Sequence, residues 1–163
     1  MSESFNVRIE KQQLVFSAAH FITYDGDVCE PLHGHNYHVA AEVGGPLDEN
    51  QYVVDFIAVR DALQEIVDAL DHRMLLPTEH PTIEVREEAD EVIVSHAQRR
   101  WVFPRQDCVL LPVANTTAEL LARHIGSLLI DSLQKRCGKG PDQLSVAVDE
   151  CDGQWACWHL SAH

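Results

Sequence analysis

The feature that most constrains the fold is the alternation of side chains over residues 33–44. His33, His35 and the apolar residues that follow at every second position share one face of a strand. Residues 5–21 carry a similar signal, because β-branched and aromatic residues dominate and His20 shares a face with apolar residues. Two long strands of this kind predict that a sheet forms the centre of the fold.

The chain also carries signals for two helices. Asp55 can cap a helix that runs to about Ala69, with apolar residues along one side. Residues 116–119 (TTAE) fit a capping box, and an apolar run that reaches Leu133 follows them. Gly138 is expected to end this second helix.

The rest of the chain is predicted to form short strands joined by turns. Residues 82–87 and 91–103 have the pattern of a hairpin around an acidic turn, and 143–150 and 154–160 are expected to form the last two strands. No repeat, low-complexity segment or linker interrupts this pattern. We therefore expect one α+β domain over residues 1–163.

Composition favours a soluble protein of the cytoplasm. Apolar residues make up 45% and charged residues 23% of the chain, as in ordinary globular proteins. No apolar run approaches the roughly 20 residues that cross a bilayer, so no membrane association is expected. The first residues lack a signal-peptide pattern. The five cysteines are odd in number and lack disulfide spacing, so free thiols are expected.

The charge balance is strongly acidic, with 26 Asp and Glu against 12 Lys and Arg and a formal net charge of −14. Phosphate backbones need basic surfaces, so we expect no nucleic-acid partner. A phosphorylated small molecule would also need cations close to it. Net charge does not exclude such a substrate, because local charges can dominate the field at one site.

Three histidines form a candidate metal site. His33 and His35 are two residues apart on a predicted strand, so both imidazoles point the same way. His20 lies near the end of the neighbouring predicted strand, and pairing can bring it alongside them. Three imidazoles leave a fourth tetrahedral position open, as in catalytic zinc sites, although ligand type alone leaves other first-row metals open. An isolated His-x-His pair can arise by chance, but its combination with His20 and Cys29 favours metal binding.

A thiol and a carboxylate compete for the role of base beside this site. Cys29 lies four residues before His33, on a predicted loop that could bring its sulfur over the open position. A thiol near a dication tends to ionise, which makes it a usable base or nucleophile. Cys29 could instead be a fourth, structural ligand. Glu30 is a rival base.

Five segments of the chain resemble the 6-pyruvoyl-tetrahydropterin synthase / 6-carboxy-tetrahydropterin synthase family. Their order and spacing match along nearly the whole chain, and the Cys-x-x-x-His-Gly-His block combined with Leu-Asp-His is specific. The segments are 16–20 (FSAAH), 29–36 (CEPLHGHN), 70–72 (LDH), 115–119 (NTTAE) and 148–150 (VDE).

The resemblance implies a T-fold, an antiparallel sheet with two helices on one face. Strands from several subunits would close a barrel in the oligomer. The implied assembly is a homohexamer built from two trimers, with active sites between subunits. The expected partners are therefore further copies of the chain and a small-molecule pterin.

The resemblance also implies roles for the residues of the candidate site. It implies a zinc ion held by His20, His33 and His35, with Cys29 as the catalytic thiol. Some relatives instead carry a glutamate three residues before the first histidine of the pair, which is the position of Glu30. Both candidate bases are therefore present. Cys29 is preferred, since its spacing matches the commoner pattern.

Three further residues gain roles from the same resemblance. Asp71 and His72 would assist the thiol, because a carboxylate beside an imidazole fixes its tautomer and raises its basicity. Judged from the residues alone, they could simply end the preceding helix. Glu150 would anchor the pterin, since a carboxylate can accept two hydrogen bonds from an amino-pyrimidinone edge.

The implied activity is that of a zinc-dependent lyase. The preferred reaction converts 7,8-dihydroneopterin triphosphate to 6-carboxy-5,6,7,8-tetrahydropterin, acetaldehyde and triphosphate, a step of queuosine (7-deazaguanine) biosynthesis. An alternative reaction stops after triphosphate elimination and gives 6-pyruvoyl-tetrahydropterin for biopterin synthesis. A second alternative is a T-fold protein that binds a pterin or purine without turnover.

A second group of metal-ligating residue types lies near the carboxyl end of the chain. It comprises Cys151, Cys157, His159 and His163. Their spacing fits no common zinc template. We expect these residues to be exposed or structural.

Overall fold

Eleven strands and two helices make up the structure, a computed structural model in which residues 3–26 and 28–161 are described. The helices are α1 (Phe56–Leu70) and α2 (Ala118–Cys137). In chain order the strands are β1 (Phe5–His20), β2 (Thr23–Tyr24), β3 (Val28–Cys29), β4 (His33–Gly45), β5 (Arg73–Pro77), β6 (Glu84–Glu88), β7 (Glu91–His96), β8 (Arg99–Pro104), β9 (Cys108–Leu111), β10 (Gln143–Asp149) and β11 (Trp155–Ser161).

The main sheet has six strands in the order β11-β10-β4-β1-β5-β9. The four strands from β11 to β1 pair antiparallel, as predicted. The prediction of a wholly antiparallel sheet is wrong for the remaining two, because β5 pairs parallel with β1 and β9 pairs parallel with β5. Neither strand was predicted. Both are short apolar runs, and such runs lack the alternation that identifies a half-exposed strand.

The helices begin and end at residues that cap them. Asp55 caps α1 as predicted, and its carboxylate accepts a hydrogen bond from the Ile57 amide at 2.8 Å. The prediction for α2 is wrong by one residue, because Thr117 rather than Thr116 is the N-cap. Thr116 is buried, and its hydroxyl donates to a backbone carbonyl of the β1–β2 connection at 3.2 Å. Gly138 ends α2 in the left-handed conformation, with φ of 77°.

Apolar residues cover both faces of the sheet in different places. The larger core lies on one face, where α1 packs on β1, and α2 packs on α1, β10 and β11. A smaller core involves residues of β5 and β9 that point to the other face, where the separate sheet β6-β7-β8 covers them. The sequence predicted a two-stranded hairpin for that small sheet. A second turn at Ala97, with φ of 52°, divides the expected second strand into β7 and β8.

Neither helix in the described part of the chain combines the length and the apolarity that a bilayer-spanning helix needs. α1 and α2 instead bury one side each against the sheet. The buried apolar residues of both helices belong to the larger core.

The contact between α2 and β11 gives a stability prediction. A Cβ atom added at Gly126 would lie 2.4 Å from a ring carbon of Trp158. We expect Gly126→Ala to lower the free energy of unfolding by about 1–3 kcal/mol, although alanine favours a helix by about 1 kcal/mol. Urea unfolding at one protein concentration measures the change. Gly140→Ala is the control, because its nearest neighbour would lie at 3.5 Å. Equal midpoints for the two variants would contradict this packing.

Candidate metal centre

His20 ends β1 and is one of the few buried polar side chains, with 1% of its surface exposed. Its Nδ1 atom donates a hydrogen bond to the Thr116 carbonyl at 2.9 Å. Burial lowers the pKa of His20 to about 4, so the ring is neutral at pH 7. The proton on Nδ1 leaves a lone pair on Nε2. That atom is buried without a hydrogen-bond donor, and Glu150 Oε1 at 3.5 Å cannot supply one while it is ionised.

His33 and His35 stand beside His20 because of the register between β1 and β4. His20 pairs with His33, and Ala18 pairs with His35, so the three imidazoles share one face. His33 also donates from Nδ1, to the Pro31 carbonyl at 2.9 Å, which leaves its Nε2 as an acceptor. One ring nitrogen from each histidine lies within 4.8 Å of the others. The structure therefore brings the three predicted ligands together.

The histidine cluster fits a transition-metal ion. Metal-binding histidines usually donate their second ring N–H to a carbonyl or carboxylate, as His20 and His33 do here. A buried imidazole nitrogen without a partner is costly, and a metal ion would satisfy it. Three neutral nitrogen donors suit zinc and its first-row neighbours.

Two carboxylates flank the cluster. Glu30 Oε2 lies 3.9 Å from His33 Nε2 and accepts a hydrogen bond from the Ile22 amide at 3.4 Å. Glu150, which directly follows β10, accepts one from the Tyr37 hydroxyl at 3.5 Å. Burial, with Glu150 nearby, raises the pKa of Tyr37, so this phenol keeps its proton and donates.

The turn after β10 holds Glu150 in place. Asp149 is buried, and its carboxylate accepts hydrogen bonds from the backbone amides of Gly153 and Gln154 at 2.8 and 2.9 Å. The Glu150 amide donates to the Gln154 carbonyl at 3.3 Å. These bonds close the β10–β11 turn and fix the backbone from which Glu150 projects.

The Cys29 sulfur lies apart from the histidine nitrogens. It contacts the Glu30 carbonyl at 3.5 Å, and the side chain packs against the smaller core. Burial raises the pKa of the Cys29 thiol and outweighs the opposite influence of Arg99. Within residues 3–26 and 28–161, the group of potential ligands that lie mutually close contains the three histidines and no cysteine.

Asp71 and His72 form a hydrogen-bonded pair beyond the end of α1. Asp71 accepts from the Ser17 amide and from His72 Nδ1, both at 2.7 Å. The Ser17 amide, together with His72, lowers the pKa of Asp71. His72 lines a cavity with Ser17, Asn36 and His35. Among the described residues, no hydrogen bond or ion pair joins this pair to the three histidines.

Two contributors to the site were missed by the sequence-based predictions. The Thr116 carbonyl orients His20, although Thr116 was assigned to a helix cap. Arg99 donates to the carbonyls of Cys29 and Glu30 from a strand 70 residues away. No local pattern marks such long-range backbone contacts. Tyr37, by contrast, continues the alternation of His33 and His35 and was detectable.

The second group of cysteines and histidines forms no comparable site. Cys151, Cys157 and His159 are exposed, with the latter two on the edge strand β11. His163 lies outside the described residues. In the part of the chain that the structure covers, the three-histidine cluster is the one group with the composition and spacing of a metal site.

Three clustered histidines flanked by two carboxylates are typical of a metal-dependent enzyme that acts on a small molecule. The family model of 6-pyruvoyl tetrahydropterin synthase matches residues 8–159, and the chain belongs to this family. The 6-carboxy-5,6,7,8-tetrahydropterin synthase of Aquifex aeolicus is 30% identical over 132 residues, which cover 79% of this chain and 72% of that protein. A Methanocaldococcus jannaschii protein, provisionally given the same name, is 30% identical over 89% of both chains.

Solved structures of the family share the fold. The 6-pyruvoyltetrahydropterin synthase of Plasmodium vivax is 26% identical and superposes with a TM-score of 0.88 over 98% of this chain and 99% of its own. That structure is of a variant in which a catalytic glutamate is replaced by alanine, and another replaces the same residue by cysteine. The prediction of an α+β T-fold is confirmed, with a mixed rather than wholly antiparallel sheet.

The histidine cluster predicts how metal binding responds to substitution. Replacing His20 or His35 by alanine removes one nitrogen donor, and we expect each variant to lose most of the zinc that the wild type retains after dialysis. Elemental analysis by mass spectrometry measures the metal content. His159→Ala is the matched control, because this exposed histidine lies on another strand. Loss of zinc in the control, or full retention in His20→Ala, would contradict the assignment.

Proposed function

We propose that the protein is a zinc-dependent lyase that converts 7,8-dihydroneopterin triphosphate and one water molecule to 6-carboxy-5,6,7,8-tetrahydropterin, acetaldehyde and triphosphate. Family membership and the named Aquifex aeolicus relative support this substrate class. The site that would carry out the reaction comprises His20, His33 and His35, flanked by Glu30 and Glu150. The queuosine pathway and a cytoplasmic location form part of the proposal.

One observation carries the assignment of the base. The Glu30 carboxylate lies 3.9 Å from the Nε2 atom of His33, whereas the Cys29 side chain packs against the smaller core. The Plasmodium vivax relative has a glutamate as a catalytic residue. We therefore assign the role of general base to Glu30. The catalytic role of Cys29 stays a prediction from the sequence, and the geometry favours its neighbour.

In the proposed reaction, one set of residues binds the metal ion and the pterin, and another residue transfers a proton. His20, His33 and His35 would hold a metal ion that polarises oxygen atoms of the pterin side chain. Glu150 would accept hydrogen bonds from the amino-pyrimidinone edge, with the Tyr37 hydroxyl fixing its orientation.

Glu30 would then remove a proton from the side-chain carbon next to the polarised oxygen, which allows triphosphate to leave. Its carboxylate is steadied for this step by the Ile22 amide. Because the chain carries 26 acidic and 12 basic residues, the charge of the triphosphate has to be neutralised by cationic groups close to its binding site.

A glutamate at the base position also favours a second candidate function. The Plasmodium vivax relative that has a catalytic glutamate is named a 6-pyruvoyltetrahydropterin synthase. In that case the reaction would stop after elimination of triphosphate. Product analysis separates the candidates, because acetaldehyde is released only when 6-carboxy-tetrahydropterin forms. A protein that binds the pterin without turnover would release neither acetaldehyde nor triphosphate.

Substitution at the two adjacent positions tests the choice of base. We expect Glu30→Gln to lower kcat by about 100-fold or more, because an amide cannot accept the proton. Cys29→Ser should keep most of the activity, since the sulfur packs away from the histidines. Triphosphate release over time provides the rates, and metal content controls for loss of the ion. A large loss in Cys29→Ser with wild-type rates in Glu30→Gln would reverse the assignment.

We further propose that active sites are completed between subunits of a homohexamer. Among the described residues of one chain, no hydrogen bond or ion pair joins Asp71 and His72 to the histidine cluster. His72 is 82% exposed, and its Nε2 atom is available for a neighbouring copy. A T-fold barrel built from several subunits would bring the Asp71–His72 pair of one subunit to the metal site of the next.

Mixed oligomers test this arrangement. Glu30→Gln and His72→Ala subunits should each be nearly inactive alone. When refolded together in equal amounts they should recover about a quarter of wild-type activity, because random mixing gives that share of sites both intact residues. Wild-type subunits refolded with Glu30→Gln subunits provide the reference. Absence of recovery in an oligomer shown to be mixed by mass spectrometry would place both residues in one chain's site.

A further inference from the structure

Arg99 connects the small sheet to the segment that carries both candidate bases. It begins β8, directly after the Ala97 turn, and its side chain is half-buried. The Nη1 atom donates to the Cys29 carbonyl at 2.8 Å and to the Glu30 carbonyl at 2.9 Å. One guanidinium nitrogen thus holds two consecutive carbonyls, and hydrogen bonds from a charged donor are among the stronger ones.

The orientation of this guanidinium is set by aromatic rings rather than by a carboxylate. Its Cζ atom lies 4.8 Å from the centre of the Trp101 ring. Trp101 stacks in turn on Phe21, with ring centres 4.5 Å apart. In the described part of the chain, Arg99 makes no ion pair, whereas five other arginines do. The hydrogen bonds that its guanidinium donates therefore go to the backbone carbonyls of residues 29 and 30.

The backbone contacts determine where the two side chains point. The Glu30 amide donates to the Ile22 carbonyl at 3.0 Å, so the amide and the carbonyl of Glu30 are both held. With the backbone fixed from both sides, the Glu30 carboxylate extends toward His33 and the Cys29 side chain extends into the smaller core.

We propose that Arg99 is a positioning residue that holds the 29–30 backbone so that the Glu30 carboxylate faces the histidine cluster and the Cys29 thiol faces the apolar core. The kinetic consequence rests on the proposed function. The structural consequence does not, because it concerns the exposure of a thiol and the protection of backbone amides.

Arg99→Ala tests the proposal through two independent readouts. Loss of both carbonyl contacts should raise the alkylation rate of Cys29 by iodoacetamide, followed peptide by peptide in the mass spectrometer, by about tenfold or more. Hydrogen exchange should rise in the peptide that carries Cys29 and Glu30. In the activity assay, kcat should fall by about tenfold or more while KM changes by less than about twofold, because the base is misplaced and the pterin anchor is untouched.

Rescue and control variants separate positioning from general destabilisation. N-methylguanidinium added to Arg99→Ala should restore part of kcat and slow the alkylation again, whereas methylammonium should not. Arg100→Ala is the matched control, since this neighbouring side chain is exposed on the same strand. It should behave like the wild type in every measurement. Arg99→Lys replaces the alanine variant if the latter does not fold, and should show smaller changes in the same direction.

The outcomes distinguish the proposal from the function on which it partly rests. Wild-type protein without activity on any pterin would overturn the proposed function, and the alkylation and exchange data would still decide the role of Arg99. Unchanged alkylation and exchange at residues 29 and 30 in Arg99→Ala would overturn the positioning role, whatever the activity. A mobilised segment with wild-type kcat and KM would overturn its kinetic consequence.

Discussion

The antiparallel pairing of β1 with β4 is the interaction on which the site depends. Its register places His20 opposite His33 at the open end of the two strands. Deeper in the core, Phe16 stacks on Tyr37 with ring centres 4.8 Å apart, which fixes the same register by packing. Because side chains alternate, a slip of one residue would move one set of histidines to the opposite face. The core and the metal site are therefore consequences of the same pairing.

Backbone carbonyls prepare the site for its ligands. The carbonyls of Thr116 and Pro31 accept hydrogen bonds from the Nδ1 atoms of His20 and His33, and this leaves the Nε2 lone pairs directed into one space. A second pair of carbonyls, those of residues 29 and 30, is held by Arg99 and orients the candidate base. The three-stranded sheet carries that arginine, so a peripheral element of the fold contributes to the arrangement of the site. Each of these contacts is a side-chain hydrogen bond to a backbone carbonyl, outside the regular hydrogen-bond pattern of a helix or a sheet.

The sequence predicts those parts of the molecule that follow from local periodicity. The predicted bounds of the two long strands and of both helices agree with the structure to within a few residues. The alternation of side chains along the two strands already groups His20, His33 and His35. The parallel strands β5 and β9 were not predicted, because apolar runs that are buried on both faces show no alternation of side chains. The contest between Cys29 and Glu30 also could not be decided locally. The directions of these two side chains depend on the long-range contacts of Arg99 with the 29–30 backbone and on the apolar cluster against which Cys29 packs.

A crystal structure of the zinc-loaded protein with a bound pterin tests the central claim most directly. We expect the ion to lie on the Nε2 atoms of His20 and His33 and on His35, with the Glu30 carboxylate within hydrogen-bonding distance of the pterin side chain. The Cys29 sulfur should remain in the apolar cluster. A Cys29 sulfur atom on the metal or against the reacting carbon, with Glu30 turned away, would show that the thiol and not the carboxylate is the base.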